Sequence, residues 1–313
     1  QSVHKILVAL DMTELNISYA IDHGVDMVIS HHPFLFKPIH DIDLSTCKGR
    51  MIENLIRHRI TSFAAHTNLD SAVQGVNDAL AEKLGLQECK GFVPVMTYSS
   101  YKFTLYITAA HAKLLKKKLD SLRGKDIESY YVVDDADDFT ENIRVEFRVP
   151  GQLVKQVKDM ISSLDKSAKY DVYKLVNHGY KETMGRIGKF PFPMSVEEAL
   201  SYIKNKLEIP VLRYAGNRDR LVEKIAILGG AGAEFAEVAK SMGADLYLTG
   251  DLKYHEAQDA AMNGLVIADG GHFYTERVII PYLAKRLRDE FKTRGWNVGV
   301  LEDVRAKDIF HCV

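Results

Sequence analysis

A layered α/β core with mostly parallel sheets, interrupted by a ferredoxin-like α+β insert, is the fold class this sequence predicts. Three observations carry it. Near both ends of the chain, apolar β-branched runs alternate with amphipathic stretches, the rhythm of parallel strands joined by helices. The central segment instead reads strand-helix-strand twice over, the split βαβ pattern. After it the first rhythm resumes. The expected core is therefore discontinuous, residues 1–96 and 184–313, with 97–183 inserted. At 313 residues the chain is long enough for two domains.

Val3–Leu10 is an aliphatic run closed by Asp11, the mark of a buried strand. Thr13 follows as an N-cap for a helix over Leu15–His23, which Gly24 ends. Val25–Ser30 is the second strand and runs straight into His31-His32-Pro33. Neighbouring side chains on a strand point to opposite faces, so two adjacent histidines share one site only if the backbone turns, or they serve two adjacent metals. Pro33 forces the chain out of regular pairing just after them. Residues 48–58 read as a helix and Thr61–Ala65 as a third strand ending in His66-Thr-Asn-Leu-Asp70, where Asn68 and Asp70 also suit turn and cap roles. Asn77–Leu84 is a short helix.

In the insert, Tyr101–Thr108, Glu128–Val133, Ile143–Val149 and Tyr170–Val176 are the strands, and Ala110–Leu122 and Gln152–Leu164 the helices. The acidic patch Asp134–Asp138 reads as a solvated loop, and His111 and His178 as isolated histidines. Beyond Gly185, Ser195 and Glu198 form a capping box for a helix over Val196–Lys206. Val222–Leu228 is a strand, and Gly229-Gly-Ala-Gly232 after it is either a tight turn or an anion cradle. Leu246–Thr249 is the next strand, followed by Asp251 and His255, which could orient metal ligands. Val266–Asp269 leads through two glycines to His272 and Glu276, a spacing of four that puts both on one helix face. Thr275–Arg294 reads as one long helix and Trp296–Leu301 as the last strand.

Composition bounds the function. Apolar residues make up 46% and charged residues 27%, and the net charge of −1 offers no field for nucleic acid. No apolar run reaches the length of a membrane span, and the opening residues lack a signal-peptide layout. Cys47, Cys89 and Cys312 are odd in number and scattered, which excludes a framework pairing them all and fits a reducing cytosol.

Three expected strands thus end in His31-His32, His66…Asp70 and His272…Glu276, at the edge where open α/β sheets bind ligands. Three imidazoles and two carboxylates suit two divalent cations if one carboxylate bridges. Without thiolate the set favours zinc, manganese, iron or nickel. Two such metals point to hydrolysis.

Ser-His-His-Pro, His-Thr-Asn-Leu-Asp, Gly-Asp-Leu-Lys-Tyr-His and Gly-His-Phe-Tyr-Thr-Glu resemble the signatures of the Ngg-interacting-factor-three-like family, whose bacterial members are often labelled GTP cyclohydrolase 1 type 2 homologues. The match spans both core segments. The resemblance implies that His31, His32, Asp70, His272 and Glu276 hold two divalent metal ions per chain, zinc foremost, with His66 of the same motif beside them. His66, four residues before Asp70, is the candidate for the catalytic base, and the alternative is that it only orients a ligand carboxylate. It also implies a homohexamer with sites facing an internal cavity, a small-molecule ligand such as a nucleotide, and an insert similar to the PII/CutA fold. The family pattern has a segment ahead of the first strand, with a Trp-Asp-Asn-like motif; this chain opens at that strand. The expected function is metal-dependent hydrolysis of a nucleotide or related small molecule. The alternative is a non-catalytic metal- or nucleotide-binding regulator working through the insert, and a third is a metal-chaperone or storage ring.

Overall fold

The computed structural model describes residues 2–122, 128–133 and 142–311. The expected acidic loop Asp134–Asp138 and Cys312 lie outside the described residues; Cys47 and Cys89 are free and exposed. Two compact units divide the chain: Gln1–Val93 with Thr183–Val313, and Pro94–Glu182.

The first unit holds two sheets. One is wholly parallel, in the order β14 (Gly299–Glu302), β1 (Lys5–Ala9), β2 (Met27–Ser30), β3 (Thr61–Ala64). Its central strand reads as a continuous apolar run because both faces are covered. Leu7 and Ala9 pack with Ile17 and Ala20 of α1 (Glu14–Asp22) and with Met51 and Leu55 of α2 (Cys47–Arg57). Ile6 and Val8 pack on the opposite face with Leu69 of α3 (Thr67–Ser71), Val76 and Ala79 of α4 (Val76–Lys83), and Ile279 and Ala284 of α11 (Ile279–Arg294). Each fully buried aliphatic side chain contributes roughly 1.5–3 kcal/mol.

The second sheet runs β10 (Arg213–Ala215), β13 (Val266–Asp269), β12 (Leu246–Gly250), β11 (Leu221–Ala231), β9 (Arg186–Ser195), β4 (Gln87–Lys90). β11, β12 and β13 are parallel; β10, β9 and β4 pair antiparallel. Ile225 and Ile227 face α4 and α7 (Val196–Leu207). Ala226 and Leu228 face α8 (Ala236–Ser241) and α9 (Tyr254–Met262). Leu80 and Leu84 of the α4 region join this second core, while Val76 and Ala79 join that of the parallel sheet. One helix thus serves both sheets.

The structure departs from the sequence reading at β9, at β4 and β10, and at the helix after β13. β9 was hidden by Pro191 and Pro193, which argue against a strand. It pairs nonetheless, because its register with β11 shifts between Met194 and Lys189, the stretch that carries both prolines. β4 and β10 are short edge strands with little apolar pattern. The expected single helix Thr275–Arg294 is two, α10 (His272–Glu276) and α11. Pro281 has no N–H for the Arg277 carbonyl four residues back, and the Ile280 N–H bonds that carbonyl instead, at 3.1 Å.

The second unit is one four-stranded sheet ordered β6 (Glu128–Val133), β7 (Asn142–Pro150), β5 (Val93–Thr108), β8 (Lys169–Met184). α5 (Ala109–Ser121) follows β5 and α6 (Val154–Leu164) follows β7, and both pack on Phe103, Leu105, Val145 and Phe147. Among the described residues, none from 94–182 belongs to the four core clusters of the first unit. A Cβ on Gly91 would meet the Thr183 hydroxyl at 1.6 Å, so the two points where the first unit is interrupted are neighbours. Replacing residues 94–182 with a short Gly/Ser linker is therefore expected to leave a soluble core that unfolds cooperatively and carries the same metal content as the full chain. Chemical denaturation and elemental analysis check this; aggregation or loss of metal would count against independent units.

Candidate metal centre

The six side chains singled out at strand ends converge in the first unit. β2 ends at Ser30, and His31 and His32 follow at a bend, their amide N–H groups still bonded to the Ala9 and Leu10 carbonyls. Their rings lie 5.0 Å apart at 47°. β3 leads to His66, whose carbonyl accepts from the Asp70 N–H at 3.2 Å, so both belong to one helical turn. β13 leads through Gly271, at φ +77°, into α10, which brings His272 and Glu276 onto one face.

Each of three imidazoles commits Nδ1 to an acceptor outside the cluster. His31 donates to the Ala65 carbonyl at 2.8 Å, His32 to Asp11 Oδ1 at 2.7 Å, and His272 to Asp251 Oδ2 at 2.7 Å. The proton on Nδ1 leaves Nε2 with its lone pair facing inward in the neutral ring. There His31 Nε2 meets Glu276 Oε1 and Asp70 Oδ1, both at 3.5 Å. His32 Nε2 and His272 Nε2 meet Glu276 Oε2 at 2.9 and 3.1 Å and lie 3.3 Å from each other. His31 Nε2 and Asp70 Oδ1 are buried and make no hydrogen bond. Two buried electron-pair donors that face each other without a hydrogen bond fit a cation. Three groups are close enough to share one: His31, Asp70 and Glu276; His32, His272 and Glu276; and His31, His32 and His66.

The protonation behaviour agrees. Burial would raise the Glu276 carboxyl, but hydrogen bonds from His272 and His32, together with the field of His31, hold it well below the usual range. Burial opposes charge on His32, yet its bonds to Asp11 and Glu276 bring it up to about 10. The bond to Glu276 leads in raising His272 to about 9. A cation bound here would displace the protons that these two rings favour. Burial pushes Asp70 up to about 6. Burial, then the fields of His31 and His32, lower the pKa of His66, whose ring stands edge-on to His31 at 5.3 Å.

In Gly229–Gly232 the first two N–H groups are taken by Asn77 and Thr275, and the glycine at 230 makes room. Gly230, at φ +68°, passes so close that a Cβ would lie 2.3 Å from Glu276 Oε1. Its N–H donates to the Thr275 hydroxyl and its carbonyl accepts from Thr249, each at 3.0 Å. Buried Asn77 accepts from the Gly229 N–H and donates to the Asp70 carbonyl, both at 3.0 Å. Asp251 takes the orienting role read from sequence, whereas His255 is exposed with its ring edge-on to Tyr254. Asp11, Asn77, Thr249 and Thr275 were not singled out. Asp11 closes the first strand, and that position was the available signal. A cavity of about 610 Å³ lined by Leu207, Arg277, Pro281 and Val304 includes none of the six cluster residues.

Fold and site together define a class: an α/β protein carrying, at its strand ends, a histidine–carboxylate cluster that could hold a metal ion. The family model for Duf34/NIF3 (NGG1p interacting factor 3) matches residues 1–307, and the chain belongs to that family. It is 32% identical over 332 residues to the GTP cyclohydrolase 1 type 2 homolog of Halalkalibacterium halodurans, covering 98% of this chain and 89% of the relative. The Bacillus subtilis protein of the same name is 31% identical over 325 residues, 95% and 86% of the two chains. A solved Bacillus cereus protein related to NIF3 aligns with a TM-score of 0.88 at 32% identity, over 100% of this chain and 90% of that one. A Staphylococcus aureus crystal structure aligns with a TM-score of 0.77 at 27% identity, over 100% and 89%. No helix among the described residues is long and apolar enough to cross a membrane.

Asp251→Ala frees His272 to rotate and lowers its basicity. It is expected to weaken metal binding roughly 10–100-fold while leaving the unfolding midpoint within the range of a surface substitution. Competition with a chromogenic chelator measures the first and urea denaturation the second.

Proposed function

We propose that the chain is a metal-dependent hydrolase of a nucleotide or related small molecule, in which Glu276 would be shared between two divalent cations. His31 and Asp70 would hold one of them and His32 and His272 the other. The observation that carries this reading is the orphaned pair His31 Nε2 and Asp70 Oδ1 on one side of a carboxylate whose other oxygen faces two more imidazoles. Imidazole and carboxylate donors suit zinc, with manganese, iron or nickel as alternatives. When bound, such a pair supplies Lewis acidity toward a substrate oxygen and makes water acidic enough to react near neutral pH.

The protein's own groups do the rest. Asp11, Asp251 and the Ala65 carbonyl keep three imidazoles in one tautomer and aim. His66, held neutral by burial and by neighbouring positive charge, takes the proton of the attacking water. The nucleotide in this reading is supported by the name that the relatives carry. A hexamer in the cytoplasm belongs to the same reading. A second reading, a non-catalytic regulator with a PII/CutA-like insert, is favoured by the strand order of the unit 94–182. Binding without turnover in a nucleotide and phosphoester screen with added metals would select it.

Elemental analysis after metal-supplemented expression is expected to find about two divalent ions per chain, and at least one fewer in His272→Ala. A single ion in the wild type would remove the bridging role of Glu276. His66→Gln is expected to retain metal while turnover falls roughly 10²–10⁴-fold. Weaker metal binding in that variant would instead make His66 an orienting group.

A further inference from the structure

We propose that Phe36 is a substrate-binding residue that stacks on a planar π-electron ring of the molecule taken by the cluster. The proposal rests on the small-molecule reading above and narrows its ligand to one carrying such a ring.

The segment after His31-His32 contains no helix or strand up to Thr46, and it leaves Leu35, Phe36, Ile39, Ile42 and Leu44 exposed. Phe36 is the most exposed of them, at 75%. Its ring lies 6.2 Å from that of His66, at 79°, and His66 lies 5.3 and 5.7 Å from His31 and His32. A phenyl group left in water one residue away from a histidine–carboxylate cluster gains by covering its face. A flat ring does this best, since stacking tolerates any base and needs no hydrogen-bond match. Exposed Lys37 follows directly and adds a cation suited to a phosphorylated tail. The cluster touches Phe36 through the edge-on ring of His66 and leaves most of the phenyl surface open.

The test compares the manganese-loaded full chain with Phe36→Ala, Phe36→Tyr and the neighbouring control Leu35→Ala. Probes are the four ribonucleoside triphosphates and inorganic triphosphate, with dissociation constants from calorimetry, metal content from elemental analysis and mass from light scattering. At least one nucleotide is expected to bind the wild type. Phe36→Ala should weaken it roughly tenfold or more, while Phe36→Tyr and Leu35→Ala stay within about threefold. Binding of inorganic triphosphate and metal content should not move. Phe36→Trp should add a fluorescence signal, beyond that of Trp296, that the nucleotide quenches.

The proposal is overturned if no nucleotide binds the wild type, if Phe36→Ala leaves nucleotide binding unchanged, or if it weakens nucleotide and triphosphate alike. It is also overturned if Phe36→Ala changes the mass of the assembly, which would make Phe36 a contact between copies. Nucleotide binding that depends on Phe36 without turnover supports this proposal and removes the hydrolase reading. Turnover of a ring-free phosphoester with no nucleotide binding removes this proposal and leaves the hydrolase reading.

Discussion

A carboxylate with 3% of its surface exposed, that of Glu276, sets the terms for the centre of this fold. An unpaired charge in such a place costs several kcal/mol, and removing one partner of a buried pair costs about 3–5 kcal/mol. Glu276 avoids that cost by facing three imidazoles. Two of them come from the end of β2 and one from its own helix, so the carboxylate ties the parallel sheet to the mixed one. The same grouping leaves lone pairs directed inward, the arrangement a cation requires. The compensation of the anion and the capacity for metal are one feature.

The surroundings of Glu276 are built for its access. Gly230 gives up a side chain and adopts a left-handed conformation so that the carboxylate can lie against the end of β11. The ladder with β12 is interrupted between Ile227 and Ala231, and there the hydroxyls of Thr249 and Thr275 bond the Gly230 backbone. Asn77 ties the neighbouring glycine to the turn that carries Asp70. These polar groups are buried and hydrogen-bonded, and such satisfied networks rigidify the backbone they join. The outer acceptors Asp11 and Asp251 do the same for His32 and His272 from the solvent side, where their exposure matters less than their aim.

The cluster belongs to one unit. Every residue in it, and every residue described as orienting it, comes from Gln1–Val93 or Thr183–Val313. The unit Pro94–Glu182 has its own core, built on stacked Phe103 and Phe147. The cluster and the inserted unit therefore rest on separate hydrophobic cores.

Local pattern in the sequence determined the strand runs, the helices that separate them, the split order of the central segment and the chemical type of the six clustered side chains. These are readable because burial imposes periods of 2.0 and 3.6 on neighbouring residues. The same rule misreads β9, where prolines are tolerated at a register shift, and α10 with α11, where one missing N–H divides a continuous pattern. Only the tertiary structure decided that adjacent His31 and His32 reach different oxygens of one carboxylate, that Gly230 exists to admit Glu276, and that Asn77 and Asp11 belong to the site. Those facts depend on contacts between residues as far apart as Asn77 and Gly229 or His32 and Glu276. Periodicity reports the direction of a side chain relative to its neighbours in the chain; the distance between two strand ends is set by how the sheets pack.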